Sequence, residues 1–325
     1  MPERPIIIAT RGSALALAQA NMIAAQGRAA FPELRFELKI IKTTGDKLQK
    51  ASMAKPDPSL PKGLFTKELE IALLQGQADL AVHSLKDLPT ELPKGLRLAA
   101  TPQRADVRDV LIYRAKPATS AAAGRWFPAH TKLQDFPYGA TIATSSTRRK
   151  AQLLAARPDL GIVEIRGNVA TRMKKVGDHH ELDGTVLALA GLTRLNFAIT
   201  DEGRLRGDAV PDGLLATVLD VEVMLPCVGQ GAIGIEIRAD DERLAKICER
   251  LNHFNTFQCV TAERAFLAGM GGGCQSPVAA YAEVAGDELQ LRAVSFTEGP
   301  ARHGQTKGSI KAPAVLGEQL SRELK

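Results

Sequence analysis

Arginines follow the ends of four short apolar runs, at points where a strand would give way to a helix. The four stretches are residues 11–13, 145–149, 166–172 and 193–194. Each pairs a hydroxyl or amide side chain, which can cap a helix, with an arginine, whose planar fork suits carboxylate or phosphate. One such turn alone is equally typical of an ordinary N-cap beside a solvated arginine. Four such turns that converge on one cleft would form a polyanion site.

A lysine and an aspartate stand side by side in the turn SLKDLP (84–89), directly after the apolar run ADLAVHS. If that run is a buried strand, Lys86 and Asp87 lie at the cleft. There, burial and nearby charges can tune an aspartate for proton transfer or for stabilising a cation. The alternative is that Asp87 only caps a turn that ends at Pro89. His83 is predicted to be a packed histidine, because its neighbours already supply the charges.

One cysteine, Cys274, stands at the end of a run of glycines in GMGGGCQSPVAAYAEV (269–284). A single cysteine is more often structural than reactive, but flanking glycines leave a sulfur accessible, and no serine, histidine or asparagine constellation accompanies it. The pattern favours an attachment point for a group. The other cysteines are Cys227, Cys248 and Cys259, and their spacing predicts neither a disulfide framework nor a metal site.

The composition favours a small anionic ligand over nucleic acid or a membrane. The net charge is +6 over 325 residues, but aromatic residues make up only 4% and do not interleave with basic tracts. No apolar run approaches the ~20 residues that span a bilayer. The apolar run near the N-terminus is too short for a secretory signal, so we expect a cytoplasmic protein.

Short β-branched runs alternate with amphipathic stretches, which is typical of an α/β sheet covered by helices. The pattern stops at residues 101–109 and a loose stretch, 113–139, which we interpret as a hinge and a surface excursion, and it resumes at residue 139. The glycine-rich stretch 228–234 precedes a predicted strand and indicates a second crossing between domains. The last third of the chain is predicted to be a separate α+β domain, with Cys274 between its helix and its sheet.

These motifs together resemble the porphobilinogen deaminase family over nearly the whole chain. The matching stretches occur in family order and are ATRGSALALAQA, KTTGD, KGLFTKELE, DLAVHSLKDLPT, ATSSTRRKAQL, IRGNVATRMKK, ALAGLTRL, LPCVGQGAIGIE, TAERAFL and GGGCQSPVAAYAE. The resemblance implies two lobes like those of type II periplasmic binding proteins, plus a smaller C-terminal α+β domain. The implied boundaries are 1–102 with 231–248, 108–226, and 252–325.

The resemblance also implies an activity and a cofactor. Four porphobilinogen molecules would be joined head to tail on a dipyrromethane primer, held by a thioether to Cys274, with release of ammonia and hydroxymethylbilane. Asp87 would be the catalytic carboxylate that assists loss of ammonia and stabilises cationic intermediates. A monomer without nucleic acid or membrane partners is expected.

Site residues are assigned by the same resemblance. Besides Cys274, the cofactor-binding positions are Ser84, Lys86, Thr144, Ser146, Arg148, Arg149, Arg166, Gly167 and Gln230. The substrate-binding positions are Arg11, Ser13, Asn168, Arg172 and Arg194. A mobile lid is expected within residues 49–65, where either Lys55 or Lys62 could act, although the prolines of this segment depart from the family pattern.

Two other functions fit parts of the sequence. A two-lobed binding protein for a polycarboxylate could use the arginine turns, but it would need neither Asp87 nor Cys274. A cysteine hydrolase would need a base beside the cysteine, and the sequence offers no such partner.

Overall fold

The computed structural model describes residues 4–48, 64–116, 125–273 and 275–325. The first part of the chain forms an α/β lobe, called lobe 1. Its elements are β1 (Ile6–Thr10), α1 (Ala14–Ala30), β2 (Phe36–Ile40), α2 (Thr44–Leu48), α3 (Lys67–Leu74), β3 (Leu80–Ser84) and β4 (Leu96–Ala100). Strand β1 pairs in parallel with β2 and β3. Helix α1 buries Ala20, Ile23 and Ala24 against these strands, and its small residues allow a close approach to the sheet.

The middle of the chain forms lobe 2. Its elements are β5 (Asp109–Arg114), β6 (Thr141–Ala143), α4 (Thr147–Ala156), β7 (Gly161–Val163), α5 (Val169–Asp178), β8 (Gly184–Ala188), α6 (Leu189–Arg194), β9 (Ala198–Ile199), β10 (Leu205–Arg206) and β11 (Leu214–Leu219). The chain then returns to lobe 1 through β12 (Ile233–Arg238) and α7 (Glu242–Leu251).

The two lobes have the same strand order. The sheet of lobe 1 is β2-β1-β3-β12-β4, and the sheet of lobe 2 is β7-β6-β8-β5-β11. In each sheet the fourth strand, β12 or β5, runs antiparallel to both of its neighbours and lies next to a crossing between the lobes. This is the arrangement of type II periplasmic binding protein lobes, so the predicted fold class is confirmed.

The last part of the chain forms a separate α+β unit, called domain 3. Its elements are α8 (Phe254–Gly269), β13 (Val278–Ala285), β14 (Glu288–Ser295), β15 (Arg302–Ser309) and α9 (Pro313–Glu323). The three strands form an antiparallel sheet that packs against α8 and α9. The helices approach closely at Gly317, where a Cβ atom would lie 2.2 Å from the carbonyl oxygen of Ala262.

The interpretation of residues 113–139 as a surface excursion is only partly right for the residues that the structure describes, because most of residues 125–139 are exposed but several aromatic side chains are buried. Tyr113 is completely buried in β5, and the rings of Phe127 and Phe136 pack edge-on against it, each with its centroid 5.9 Å away. The aromatic cluster makes this stretch part of the core of lobe 2. Residues 117–124 lie outside the described part. No helix among the described residues is long and apolar enough to cross a membrane.

Candidate active site

Three of the four arginine turns form capped helix starts at the carboxyl ends of parallel strands. Ser13, Ser146 and Asn168 each accept a hydrogen bond from a backbone N–H in the first turn of the helix that follows. The prediction for the fourth turn is wrong. Helix α6 begins directly after β8 without a side-chain cap, and Arg194 is its last residue. The apolar run 187–192 covers both the end of β8 and the start of this helix, and hydrophobicity alone does not separate a short buried helix from a strand.

Lobe 1 places Arg11 at a cavity of about 60 Å³. The cavity is lined by Arg11, Ser13, Leu15, Ala16, Gln19, Phe65, Thr66, Val82, His83, Ser84 and Asp87. The guanidinium of Arg11 donates to Asp46, with Nη2 and Oδ1 2.5 Å apart, and lies 4.1 Å from the centre of the Phe65 ring. Burial alone would raise the pKa of Asp46, but hydrogen bonds from Arg11 and Thr43 lower it.

Asp87 lies on the same cavity, in a short 3₁₀ turn, Leu85–Asp87, that follows β3 directly. Leu85 and Leu88 are buried and anchor this turn, so that the half-buried carboxylate between them faces the cleft. Ser84, just before the turn, is hydrogen-bonded to the amide of Gln19 at 2.9 Å. The position of Asp87 agrees with the cleft placement expected from the sequence.

Lys86 and His83 differ in their surroundings. Burial and then the nearby charge of Arg149 lower the pKa of Lys86, while the carboxylates of Asp87 and Asp109 oppose that shift. Lys86 therefore interacts electrostatically with both lobes. His83 is buried, and its Nε2 atom lies 3.0 Å from Oε2 of Glu236, as expected for a packed histidine.

Arg148 and Arg149 are buried in the first turn of α4, and both bind Asp109. Nη2 of Arg148 is 2.8 Å from Oδ2, and Nη2 of Arg149 is 2.7 Å from Oδ1 of that carboxylate. Their Nη1 atoms donate to the carbonyl oxygens of Leu225 and Val186. Burial alone would raise the pKa of Asp109, but the two guanidinium charges hold it far below its usual value. Sequence reasoning missed Asp109, because its partners are about 40 positions away.

The second crossing between the lobes lies against the same carboxylate. Nε2 of Gln230 donates to Oδ1 of Asp109 at 2.9 Å and to the carbonyl oxygen of Val107 at 2.7 Å. Arg194 donates to the carbonyl oxygen of Gly231 at 2.6 Å, and burial lowers its pKa to about 10. Gly231 has a φ of +81°, and a Cβ atom there would lie 2.5 Å from the carbonyl oxygen of Ala105, in the first crossing between the lobes (residues 101–108). The two crossings are therefore in direct contact.

The remaining predicted residues of lobe 2 are divided between the cleft and its rim. Arg172 donates through Nε to the carbonyl oxygen of Gly167 at 2.9 Å. Burial and then Arg149 lower the pKa of Arg172, whereas Asp87 of the facing lobe raises it, so Arg172 faces the cleft. Arg166 is exposed beside Glu164, at the rim.

Two smaller polar residues keep the turns of lobe 2 in place. Thr144 is buried, and its hydroxyl accepts a hydrogen bond from the backbone N–H of Ser146 at 3.2 Å. Asn168 is exposed and caps α5. Thr144, Ser146 and Asn168 therefore hold the turns that carry the arginines beside them, and their assignment to cofactor and substrate binding stays a prediction.

Cys274, Lys55 and Lys62 lie outside the described residues, but both sequence neighbours of Cys274 are described. The hydroxyl of Thr147, the first residue of α4, donates to the carbonyl oxygen of Gln275 at 2.7 Å. The backbone N–H of Gly273 donates to Ser276 at 3.0 Å. The loop of domain 3 that contains the cysteine is thus tied to the helix of lobe 2 that carries Arg148 and Arg149.

The other three cysteines are free thiols in different surroundings. Cys248 and Cys259 are buried, and burial raises the pKa of each thiol to about 12, which keeps them protonated and unreactive at neutral pH. Cys227 is half-buried and interacts electrostatically with Lys86. Among the described cysteines, Cys227 is therefore the one thiol that is near the cleft.

The charges at the cleft suit an organic polycarboxylate. Four cations, namely Lys86, Arg148, Arg149 and Arg172, stand with two carboxylates, Asp87 and Asp109. The buried Nε atoms of Arg148, Arg149 and Arg194 have no hydrogen-bond partner within the described part of the chain. No group of three metal-ligating side chains occurs in that part either. The donor set therefore fits the carboxylates of the dipyrromethane cofactor that the family resemblance implies.

Comparisons with known proteins cover almost the whole chain. Residues 6–246 match the family model described as porphobilinogen deaminase, dipyromethane cofactor binding domain, and residues 257–325 match the porphobilinogen deaminase C-terminal domain. A porphobilinogen deaminase of Syntrophomonas wolfei is 41% identical over 323 residues, which cover 99% of this chain and 95% of that protein. One of Chlorobium phaeobacteroides is 45% identical over 328 residues, with the same coverage of each chain.

The solved structures that resemble the chain are more distant. The reduced form of the OxyR regulatory domain from Pseudomonas aeruginosa is similar with a TM-score of 0.39 and 14% identity, over 76% of this chain and 96% of that one. The fold class therefore rests on the strand orders of the two sheets described above.

Proposed function

The chain belongs to the porphobilinogen deaminase family, and on that premise we propose which of its residues bind, orient and react. The enzyme is a transferase that condenses four porphobilinogens head to tail on a dipyrromethane primer and releases ammonia and the linear tetrapyrrole hydroxymethylbilane. When bound, the primer supplies the pyrrole carbon to which the first substrate is joined. The match of both family models over the length of the chain favours this enzyme over a polycarboxylate-binding protein.

We assign the covalent attachment to Cys274. The observation that carries this assignment is the hydrogen bond from Thr147 to Gln275, which ties the cysteine loop to α4, beside Arg148 and Arg149. A group held at that loop would lie next to buried guanidinium groups that can receive its carboxylates. Lys86, across the cleft, is the third cation in this primer site.

Asp87 is assigned as the catalytic residue. Its half-buried carboxylate interacts electrostatically with two cations, Lys86 and Arg172, and partly offsets the lowering of their pKa values by burial and by Arg149. Its carboxylate oxygens can accept a hydrogen bond from the N–H of the substrate pyrrole. It would thereby stabilise the positive charge that develops on the substrate as ammonia leaves.

Arg11 and Arg172 are assigned to the incoming substrate, with Ser13 and Arg194 beside them. Arg11 is bound to Asp46 in this structure, so a substrate carboxylate has to compete with that aspartate for the guanidinium. The exchange is feasible because both side chains retain some solvent exposure, 16% and 26%, so water can replace either partner while the pair is open. Arg166, Gly167 and Asn168 form the rim past which the growing chain moves.

The proposal also covers the domain boundaries, the oligomeric state and the cellular location. We propose three domains at 1–102 with 231–248, 108–226 and 252–325, supported by the elements that share each sheet. A cytoplasmic monomer that binds no nucleic acid is supported by the family resemblance. Size-exclusion chromatography with light scattering should give a mass of about one chain, 34.8 kDa by sequence.

A stepwise mass measurement tests the proposed function. Substoichiometric porphobilinogen is added to purified protein, and the denatured chain is weighed. The proposal predicts a ladder of covalent species, each heavier by one porphobilinogen less one ammonia. A binding protein would release its ligand on denaturation, so an unchanged mass together with measurable porphobilinogen binding would contradict the proposal.

A further inference from the structure

Asp109 is a completely buried carboxylate that joins three parts of the molecule. It is the first residue of β5 and accepts hydrogen bonds from Arg148, Arg149 and Gln230 within 2.9 Å. Each of its two oxygens binds a different guanidinium. The two arginines are consecutive residues in one helical turn, so this single carboxylate orients both guanidinium groups.

The electrostatic surroundings explain why a carboxylate is needed there. Arg148 and Arg149 are two adjacent like charges at the N-terminus of α4, where the helix dipole is also positive. Both are nearly inaccessible to solvent, with side-chain exposures of 4% and 7%, so water screens their repulsion poorly. A neutral side chain at position 109 would leave two buried cations without a close counter-charge.

Gln230 extends this cluster to the segments that connect the two lobes. Its amide nitrogen contacts both Asp109 and the carbonyl oxygen of Val107, so it bridges the first crossing and the second crossing. Its Oε1 atom is buried and has no hydrogen-bond partner among the described residues. A change in the angle between the lobes would therefore alter the hydrogen bond between Gln230 and Asp109.

We propose that Asp109 is a positioning residue for chain elongation, which keeps Arg148 and Arg149 aligned for the carboxylates of the primer. The inference rests on the proposed function of these two arginines. Asp109 does not touch the substrate, and it acts through the arginines that it holds. Its loss should therefore change primer capture and substrate affinity, beyond any loss of stability.

The test compares D109N with a control at another buried aspartate of the same lobe. Asp183 accepts a hydrogen bond from the backbone N–H of Thr141 at 2.8 Å and pairs with Arg125 at 3.3 Å. Asp183 is assigned no contact with the primer arginines, so D183N removes a buried carboxylate without disturbing them. For each purified variant, the melting temperature and the fraction of folded chains that carry the primer mass are measured.

Both variants should melt at lower temperature than the wild type. Folded D109N should carry the primer in a fraction about tenfold or more below wild type, the scale of a lost charge-assisted hydrogen bond. D183N should load like wild type. Equal loading of D109N and D183N would overturn the inference, because the role of Asp109 would then be structural only.

A second variant keeps the inference testable if D109N does not fold. D109E retains the charge but shifts the carboxylate by one methylene, so folding should persist while the forks of Arg148 and Arg149 move. We expect reduced primer loading and, in the loaded fraction, a raised KM for porphobilinogen with a smaller change in kcat. Wild-type loading and KM in D109E would overturn the inference. Absence of primer from the wild type itself would instead contradict the proposed function.

Discussion

The two lobes share a strand order, but the ion pairs of their first arginine turns differ in burial. After β1, Arg11 pairs with Asp46, and the two side chains are 16% and 26% exposed. After β6, Arg148 pairs with Asp109, and the exposures are 4% and 0%. A pair that keeps some solvent exposure exchanges partners more readily than a fully buried pair, because water can compensate a charge that loses its partner. Arg11 of lobe 1 is therefore suited to bind successive substrate molecules, and Arg148 of lobe 2 is suited to bind a permanently attached primer.

The largest expected effect concerns the group that lobe 2 is suited to hold. Cys274→Ser should yield folded protein without primer and without activity, because an alkyl oxygen forms such a linkage far less readily than a thiolate. Cys227→Ser is the matched control and should keep both. Intact mass and porphobilinogen consumption measure the two variants. Activity lost in Cys227→Ser but kept in Cys274→Ser would move the attachment to the other cysteine.

Asp87→Asn tests whether lobe 1 supplies chemistry as well as binding. The amide retains size and one acceptor but removes the charge that stabilises the developing cation, so kcat should fall by about a hundredfold or more. Primer content and melting temperature should change much less. Near-wild-type turnover would mean that Asp87 only supports its turn.

Truncating one arginine from each lobe tests the comparison itself. Arg148→Ala should destabilise the protein by about 1.5–3 kcal/mol, because Asp109 loses one of its two guanidinium partners, and it should reduce primer loading. Arg11→Ala should destabilise the protein less than Arg148→Ala does, because its pair with Asp46 is less buried, and it should leave a loaded enzyme that accumulates bound intermediates. Denaturant unfolding and intact mass measure both effects. Indistinguishable loading and intermediate patterns would break the assigned division between the lobes.

The pH dependence of substrate affinity tests the role of the positive charge on Lys86, a residue of lobe 1 that interacts electrostatically with lobe 2. Because burial and Arg149 lower the pKa of Lys86, its ammonium loses its proton at lower pH than an ordinary lysine. As the pH rises through that lowered pKa, the cleft loses one positive charge, and KM for porphobilinogen should rise severalfold. Lys86→Arg keeps its charge to higher pH, so its KM should remain flat. An identical rise in both proteins would contradict this assignment.

The smallest effect is expected at the contact between lobe 2 and domain 3. Thr147→Val removes the hydrogen bond to Gln275, which is worth about 0.5–1.5 kcal/mol. Reconstitution of primer-free protein with porphobilinogen should slow severalfold, while turnover of loaded enzyme stays near wild type. Thr193→Val, at an exposed threonine whose hydroxyl bonds within its own helix, is the control. Equal reconstitution rates in the two variants would show that the contact does not position the loop.

Local signals in the sequence predicted much of the fold and part of the site. Caps at Ser13, Ser146 and Asn168 follow from residue type and position, and so does the turn that holds Asp87. The pattern of strand β15 does not predict a strand, because glycines take the places of apolar residues on its inner face. At Gly304, a Cβ atom would lie 2.8 Å from the side chain of Leu320.

The ion pairs of the cleft could not be predicted in the same way. Asp46 and Asp109 stand 35 and 39 positions from the arginines that they bind, and a single sequence holds no signal for such distant pairs. Burial of Arg148 also follows from tertiary packing rather than from its helix, since its helical position alone is compatible with solvent. The contrast between the lobes became visible only in the structure.

Peptide mapping of the purified wild-type protein tests the central claim most directly. The account predicts that the chain is heavier than its sequence by two porphobilinogens less two ammonias, and that the added mass lies on the peptide containing Cys274. Added mass on Cys227, Cys248 or Cys259, or active protein without added mass, would contradict it.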